Sequence, residues 1–145
     1  MPRADFAFSH RLRVRWAEVD RQGIVFNGNY LLYFDVGITE YWRALGFPYP
    51  DGILEYGTDL FVKKAALEYH APAVYDDELD VLVRLARIGR SSLRFLLELH
   101  RADTPLVSGE LIYVNADPAT RSAVPVPGFL REAMQRFERI APEAA

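Results

Sequence analysis

The feature that most constrains this fold is the run from Tyr30 to Leu45, which is apolar nearly all round apart from a narrow polar stripe at Asp35, Thr39 and Arg43. A helix hydrophobic on almost every face has to be enclosed by something. The run is too short for a bilayer and carries Asp35, Glu40 and Arg43, so a membrane span is not the enclosure. Gly46 ends the helix and Pro48 and Pro50 bar its continuation. The chain must therefore supply a wrapping of its own.

Strand patterns supply it. From Phe8 to Trp16 the residues Phe8, Leu12, Val14 and Trp16 share one face, against Ser9, Arg11, Arg13 and Arg15. From Asp59 to His70 the phase switches at Lys63-Lys64: Leu60 and Val62 have one parity, Ala65, Leu67 and Tyr69 the other. Such a switch predicts a β-bulge. Leu79, Val81, Val83 and Leu85 alternate with Glu78, Asp80 and Arg84, and Leu93, Phe95, Leu97 and Leu99 with Arg94, Glu98 and His100. Gly89-Arg90-Ser91-Ser92 reads as the hairpin turn between these two strands. A weaker strand covers Leu106 to Asn115, closed by Asp117-Pro118. After Pro127, the segment Phe129 to Ile140 puts Leu130, Ala133, Met134, Phe137 and Ile140 on one helical face.

The order is strand, long helix, four strands, short helix. Short spacings after the helix favour antiparallel hairpins. We read residues 1–145 as one α+β domain, a five-stranded antiparallel sheet around one helix with a short C-terminal helix. Strand edges in so small a domain need covering, so self-association is expected.

Composition narrows the function classes. Half the residues are hydrophobic and 26% are charged, which is a globular composition. A net charge of −3 gives no support for nucleic acid or an anionic membrane as partner. No cysteine is present, which removes thiolate chemistry and cysteine metal sites and fits a reducing compartment. The first residues, Met1 to Phe6, lack the apolar core of a signal peptide, and a soluble cytoplasmic protein is expected. There is no Gly-x-Ser-x-Gly elbow, phosphate-binding loop or dinucleotide fingerprint.

Chemistry concentrates in Val19 to Tyr30, where Asp20, Gly23 and Gly28 sit in a tight loop before the helix. A helix N-terminus offers unpaired N–H groups and a positive dipole end, suited to an anion or a developing oxyanion. A carboxylate beside it can serve as base or nucleophile. The same composition also fits a plain capped loop with an incidental acid.

The arrangement resembles the hot-dog fold thioesterases, specifically the 4-hydroxybenzoyl-CoA thioesterase-like acyl-CoA hydrolases. The matching residues are Val14-Arg15-Trp16, Asp20-x-x-Gly23-Ile24-Val25, Asn29-Tyr30 leading into Leu32-Tyr33-Phe34-Asp35, Tyr69-x-x-Pro72, Asp77-Glu78-Leu79 and Ile88-Gly89-Arg90-Ser91-Ser92. The resemblance implies a catalytic Asp20, attacking the thioester or activating water. It also implies that the backbone N–H of Asn27 holds the thioester oxygen. Many relatives carry tyrosine or histidine at that position, so the usual side-chain contribution to substrate preference is missing. The uncovered strand edges and outer sheet face predict a homotetramer of two dimers; the resemblance adds that active sites form between subunits, with no metal or redox cofactor implied beyond the coenzyme A of the substrate.

We assign Val25, Phe26 and Tyr30 to substrate contact, and Tyr33, Phe61 and Tyr69 add aromatic walls suited to aryl or medium-chain acyl groups. Arg87, Arg90, Ser91 and Ser92 at the hairpin, with Lys64 of the Lys63-Lys64 pair, are the candidate grips for coenzyme A phosphates, or else solvated charges. Asp35, Glu40 and Arg43 read as a buried or interfacial polar network. His10, His70 and His100 lack metal-ligand spacing, and only His70 is a candidate for the cavity. A hot-dog hydratase would pair a histidine with its carboxylate, and this loop has none. A non-catalytic acyl-CoA or acyl-carrier-protein binding module is the rival from another class.

Overall fold

The computed structural model describes residues 1–144. The elements run β1 (Phe8–Arg13), α1 (Asn27–Leu45), a one-turn α2 (Asp51–Leu54), β2 (Asp59–Tyr69), β3 (Glu78–Ile88), β4 (Ser92–Arg101), β5 (Thr104–Ala116), α3 (Gly128–Phe137) and β6 (Glu143–Ala144). Five strands form an antiparallel sheet in the order β1-β3-β4-β5-β2, and the two residues of β6 add to β3 in parallel. The sheet curls around α1, which is the hot-dog arrangement. Among the described residues no helix is long and apolar enough to cross a membrane.

The period-2 pattern decides which strand face meets the helix. Leu79, Val81, Val83 and Leu85 of β3, with Leu93, Phe95, Leu97 and Leu99 of β4, are almost fully buried around Phe34, Ile38, Tyr41 and Trp42 of α1. Gly37 makes this packing possible. A Cβ there would run into Val81 Cγ1, so only glycine lets the helix axis come this close to β3. The bulge predicted at Lys63-Lys64 is present as a register shift between Val62 and Lys64 in the β2–β5 ladder.

Several boundaries differ from the sequence expectation. β1 stops at Arg13; Val14 stays buried, but Trp16 leaves the strand for a 3-10 turn (Trp16–Glu18) and is 73% exposed. α1 begins at Asn27, three residues before Tyr30, because Gly28 and Asn29 fit a first turn as well as a loop. The last helix ends at Phe137, leaving Ile140 37% exposed. α1 is also not enclosed on every side: Leu31 (41%), Leu32 (51%) and Val36 (36%) face outward. Of the polar stripe, Asp35 and Arg43 are exposed and Thr39 is half-buried, with Arg43 paired to half-buried Glu40 at 3.1 Å, so of the buried or interfacial network expected a single protomer leaves the interfacial form.

Candidate active site

The site is built where the chain leaves β1 and turns into α1. Val14 donates its N–H to Asp77 O (2.9 Å) and accepts from Asp76 N (3.1 Å), which anchors the exit of β1 to the segment before β3. The 3-10 turn then delivers Glu18 into the interior, where it is only 7% exposed. Its carboxylate accepts hydrogen bonds from Arg15 N (2.7 Å), Arg15 Nε (2.9 Å) and the Tyr33 hydroxyl (2.9 Å). Burial pushes the Glu18 acid up, but these donors and the Arg15 charge outweigh it and hold the group below the usual carboxylate range. The Glu18 carbonyl accepts from Phe26 N (3.0 Å) and Asn29 Nδ2 (2.9 Å). One residue thus fastens the turn, the loop and the first turn of α1 together.

Between these anchors the loop folds back on itself. Val19 bridges Val25, Asp20 N donates to Ile24 O (2.9 Å) and Gly23 N donates to Asp20 O (3.0 Å). Gly23 has φ of +79°, a left-handed conformation that side chains disfavour, which is the physical reason for glycine three residues after Asp20. The tight turn lets Gln22 N donate to Asp20 Oδ1 at 2.7 Å. Oδ2 accepts from no group among the described residues. At the helix start Phe26 is the N-cap, Asn29 N bonds Phe26 O (2.9 Å), and the Asn27 and Gly28 N–H groups find no acceptor among the described residues.

Asp20 and Asn27 open on one cavity of about 300 Å³, lined also by Gln22, Val25, Tyr30, Tyr69, His70 and Pro72. Tyr30 is 3% exposed and its oxygen accepts Ala73 N–H at 3.0 Å. Tyr69 lies against the Tyr30 ring at 5.5 Å and donates to Asn27 O at 3.3 Å. His70 meets Ser108 Oγ at 2.9 Å and is also the one residue shared with a larger cavity of about 570 Å³ bordered by Arg3, Glu98, His100 and Asp103. His100 is buried against Glu98 (2.8 Å). Among the described residues no three His, Cys, Asp or Glu side chains cluster as metal ligands do.

The structure brings Asp20, Asn27, Val25 and Tyr30 together on one cavity, with Gly23 bonded to Asp20 in the turn beside it; Phe26, the N-cap of α1, is 52% exposed and does not line that cavity. It does not bring the candidate phosphate grips to them. Tyr69, at the cavity, pairs with Val107, whereas Ser92 pairs with Val114, seven residues further along β5. At about 3.3 Å per residue this puts the Arg90-Ser91-Ser92 hairpin roughly 23 Å along the sheet from the cavity, and Arg87, paired through Arg94 with Ile112, roughly 17 Å. Within one protomer the hairpin does not reach the cavity: hairpins close alternate ends of a sheet, and this one closes the far end. Lys64 lies on the outer sheet face, paired to Glu110 at 2.9 Å.

Glu18 was missed by sequence reasoning. Its trace is the spacing Arg15-x-x-Glu18, in which the carboxylate reaches back to the Arg15 N–H as in a capping box.

Comparison with known proteins reports a match of residues 14–134 to the model of the Thioesterase-like superfamily. A protein named "Putative esterase" from Aquifex aeolicus is 34% identical over 96 residues, covering 66% of this chain and 74% of that protein. "Acyl-CoA thioesterase YbgC" from Haemophilus influenzae is 31% identical over 97 residues, 67% of this chain and 71% of the relative. Among solved structures, a thioesterase complexed with coenzyme A and Zn from Thermus thermophilus superimposes with a TM-score of 0.80 at 26% identity, covering 92% of this chain and 96% of that one.

Proposed function

The chain belongs to the thioesterase-like superfamily, and from that premise we propose that it hydrolyses an acyl-CoA thioester to a free acid and coenzyme A. The observation that carries the reading is the cavity that Asp20 and Asn27 both line, with a carboxylate oxygen that has no donor and a helix N–H that has no acceptor among the described residues. The thioester carbonyl oxygen accepts from the Asn27 N–H, where the amide and the helix dipole favour the charge that develops on it. Asp20 then attacks the carbonyl carbon or takes a proton from attacking water. Either route uses only these groups and water, with no metal or redox cofactor. The names of the YbgC and Thermus relatives, an acyl-CoA thioesterase and a thioesterase bound to coenzyme A, support the substrate class.

The working unit in this reading is an oligomer, a tetramer of two dimers. Support comes from the outward apolar strip of Leu31, Leu32 and Val36 on α1 and from the open edge of β2. The separation of Arg87 and Arg90 from their own cavity supports it too, since phosphates held by these arginines would require them from a second copy. The decisive experiment measures thiol release from a panel of aryl, short and medium acyl-CoA esters. Saturable turnover of at least one ester is expected. Binding of coenzyme A esters without thiol release would replace the hydrolase with a non-catalytic acyl-CoA or acyl-carrier-protein binding protein.

A further inference from the structure

Two polar groups on the Asp20 cavity are left half-satisfied, and they are complementary. Tyr30 is 3% exposed, and its oxygen receives the Ala73 N–H at 3.0 Å. That bond uses a lone pair and leaves the phenolic proton without an acceptor among the described residues. The neighbouring phenol differs, because Tyr69 spends its proton on Asn27 O at 3.3 Å. Burial chiefly, with smaller contributions from Tyr69, Asp20 and Asp77, raises the Tyr30 phenol above its ordinary range, so it stays a donor. On the same cavity Asp20 has Oδ1 occupied by Gln22 N–H and Oδ2 open. A buried donor without an acceptor and a carboxylate oxygen without a donor together meet a water's need for two or more polar partners.

We propose that Tyr30 is a further catalytic residue, whose hydroxyl holds the attacking water against Asp20, making Asp20 a general base rather than a nucleophile. The inference rests on the thioesterase reading and specifies its chemistry. The water accepts the Tyr30 proton in one hydrogen bond and donates one of its own protons to Asp20 Oδ2. Its remaining lone pair forms the new C–O bond at the thioester carbon as its proton passes to Asp20. The carbonyl oxygen takes up the negative charge against the Asn27 N–H. Collapse of that intermediate breaks the C–S bond, and the protonated Asp20 returns the proton to the departing sulfur, giving acid, free thiol and the starting carboxylate. In the nucleophilic route Asp20 itself meets the carbon, and the Tyr30 donor has no partner in the first step.

Two measurements test this. In a single turnover with enzyme in excess in ¹⁸O-water, the label is expected in the product acid and not in the peptide containing Asp20. The Tyr30→Phe variant, assayed where circular dichroism shows it folded, is expected to lose about 10- to 100-fold in kcat, between the loss of one neutral hydrogen bond and of a positioned proton-transfer partner. Its KM should stay within about twofold, because the bond is made to water and not to bound substrate. Label appearing first on Asp20, or a kcat within about twofold of wild type, would overturn the proposal while leaving the hydrolase intact. A wild-type protein that releases no thiol from any ester would remove the hydrolase reading and this inference together.

Discussion

The Glu18 carboxylate and the Tyr33 hydroxyl meet at 2.9 Å inside the protein, and this contact ties the Asp20 loop to the body of α1. Replacing Glu18 by Ala leaves the Tyr33 hydroxyl and the Arg15 amide without their acceptor. A destabilisation of about 1–3 kcal/mol is expected, the range for an abandoned buried polar partner. Chemical denaturation measures it. Tyr33→Phe removes one donor only and should cost less.

Asp20→Asn keeps the turn that Gln22 N–H and Gly23 define but removes the charge. Turnover should fall by about 10²–10⁴, the range for losing a positioned acid–base group. Near wild-type turnover on the best substrate would move the chemistry to Asp35 or Glu40.

The double change Arg87→Ala, Arg90→Ala should raise KM for full acyl-CoA with kcat nearly unchanged, and affect an acyl-pantetheine lacking the nucleotide far less. Because the hairpin closes the far end of its own sheet, a mixture provides a second readout. Co-refolding Asp20→Asn with the double arginine variant should recover more activity than the two separately, since one site in each mixed pair regains both groups. Equal loss on both substrates, with no recovery, would make these arginines structural.

Acid should unfold the protein partly through Glu18 and Asp80. Asp80 is 6% exposed; burial pushes its acid up, but Arg11 (3.0 Å) and Arg3 (2.6 Å) outweigh this and lower it. A carboxylate lowered in the folded state binds fewer protons than in the unfolded chain. Its stabilisation is therefore complete above the ordinary value of about 4 and lost as pH falls through the lowered one. Glu138, raised mainly by burial and bonded by the Tyr41 hydroxyl at 2.6 Å, runs the other way. Its contribution is present below the ordinary value and lost as pH rises through the raised one. Urea midpoints should drop steeply between about pH 5 and 3, and the Glu18→Gln, Asp80→Asn double variant should flatten that slope.

Gly37→Ala tests the helix–sheet approach. The added methyl meets Val81 and Val83 side chains, and overpacking of this kind typically costs about 1–3 kcal/mol. A thermal midpoint equal to wild type would mean that α1 shifts freely away from β3.

Local rules were legible from residues alone. Alternation over Leu79 to Leu85 and Leu93 to Leu99 named the buried face of two strands, and the parity switch at Lys63-Lys64 located a bulge to the residue. Gly46 stopped α1, and the glycine three residues after Asp20 marked a tight loop. Each is a consequence of backbone geometry that repeats every two or 3.6 residues, so a few neighbouring side chains suffice to show it. Periodicity also said that Trp16 continued β1, and there it failed, because the Val14–Asp77 pairing and the pull of Glu18 into the core end the strand first. The Arg15-x-x-Glu18 spacing hints at a capped turn, but nothing local shows that Glu18 is buried against Tyr33 or that Arg90 lies at the opposite end of the sheet from Asp20. Period reports which face a residue occupies. Which residues share a cavity is decided by the pairing of strands and the packing of the helix across them, and those contacts join parts of the chain that no short window contains.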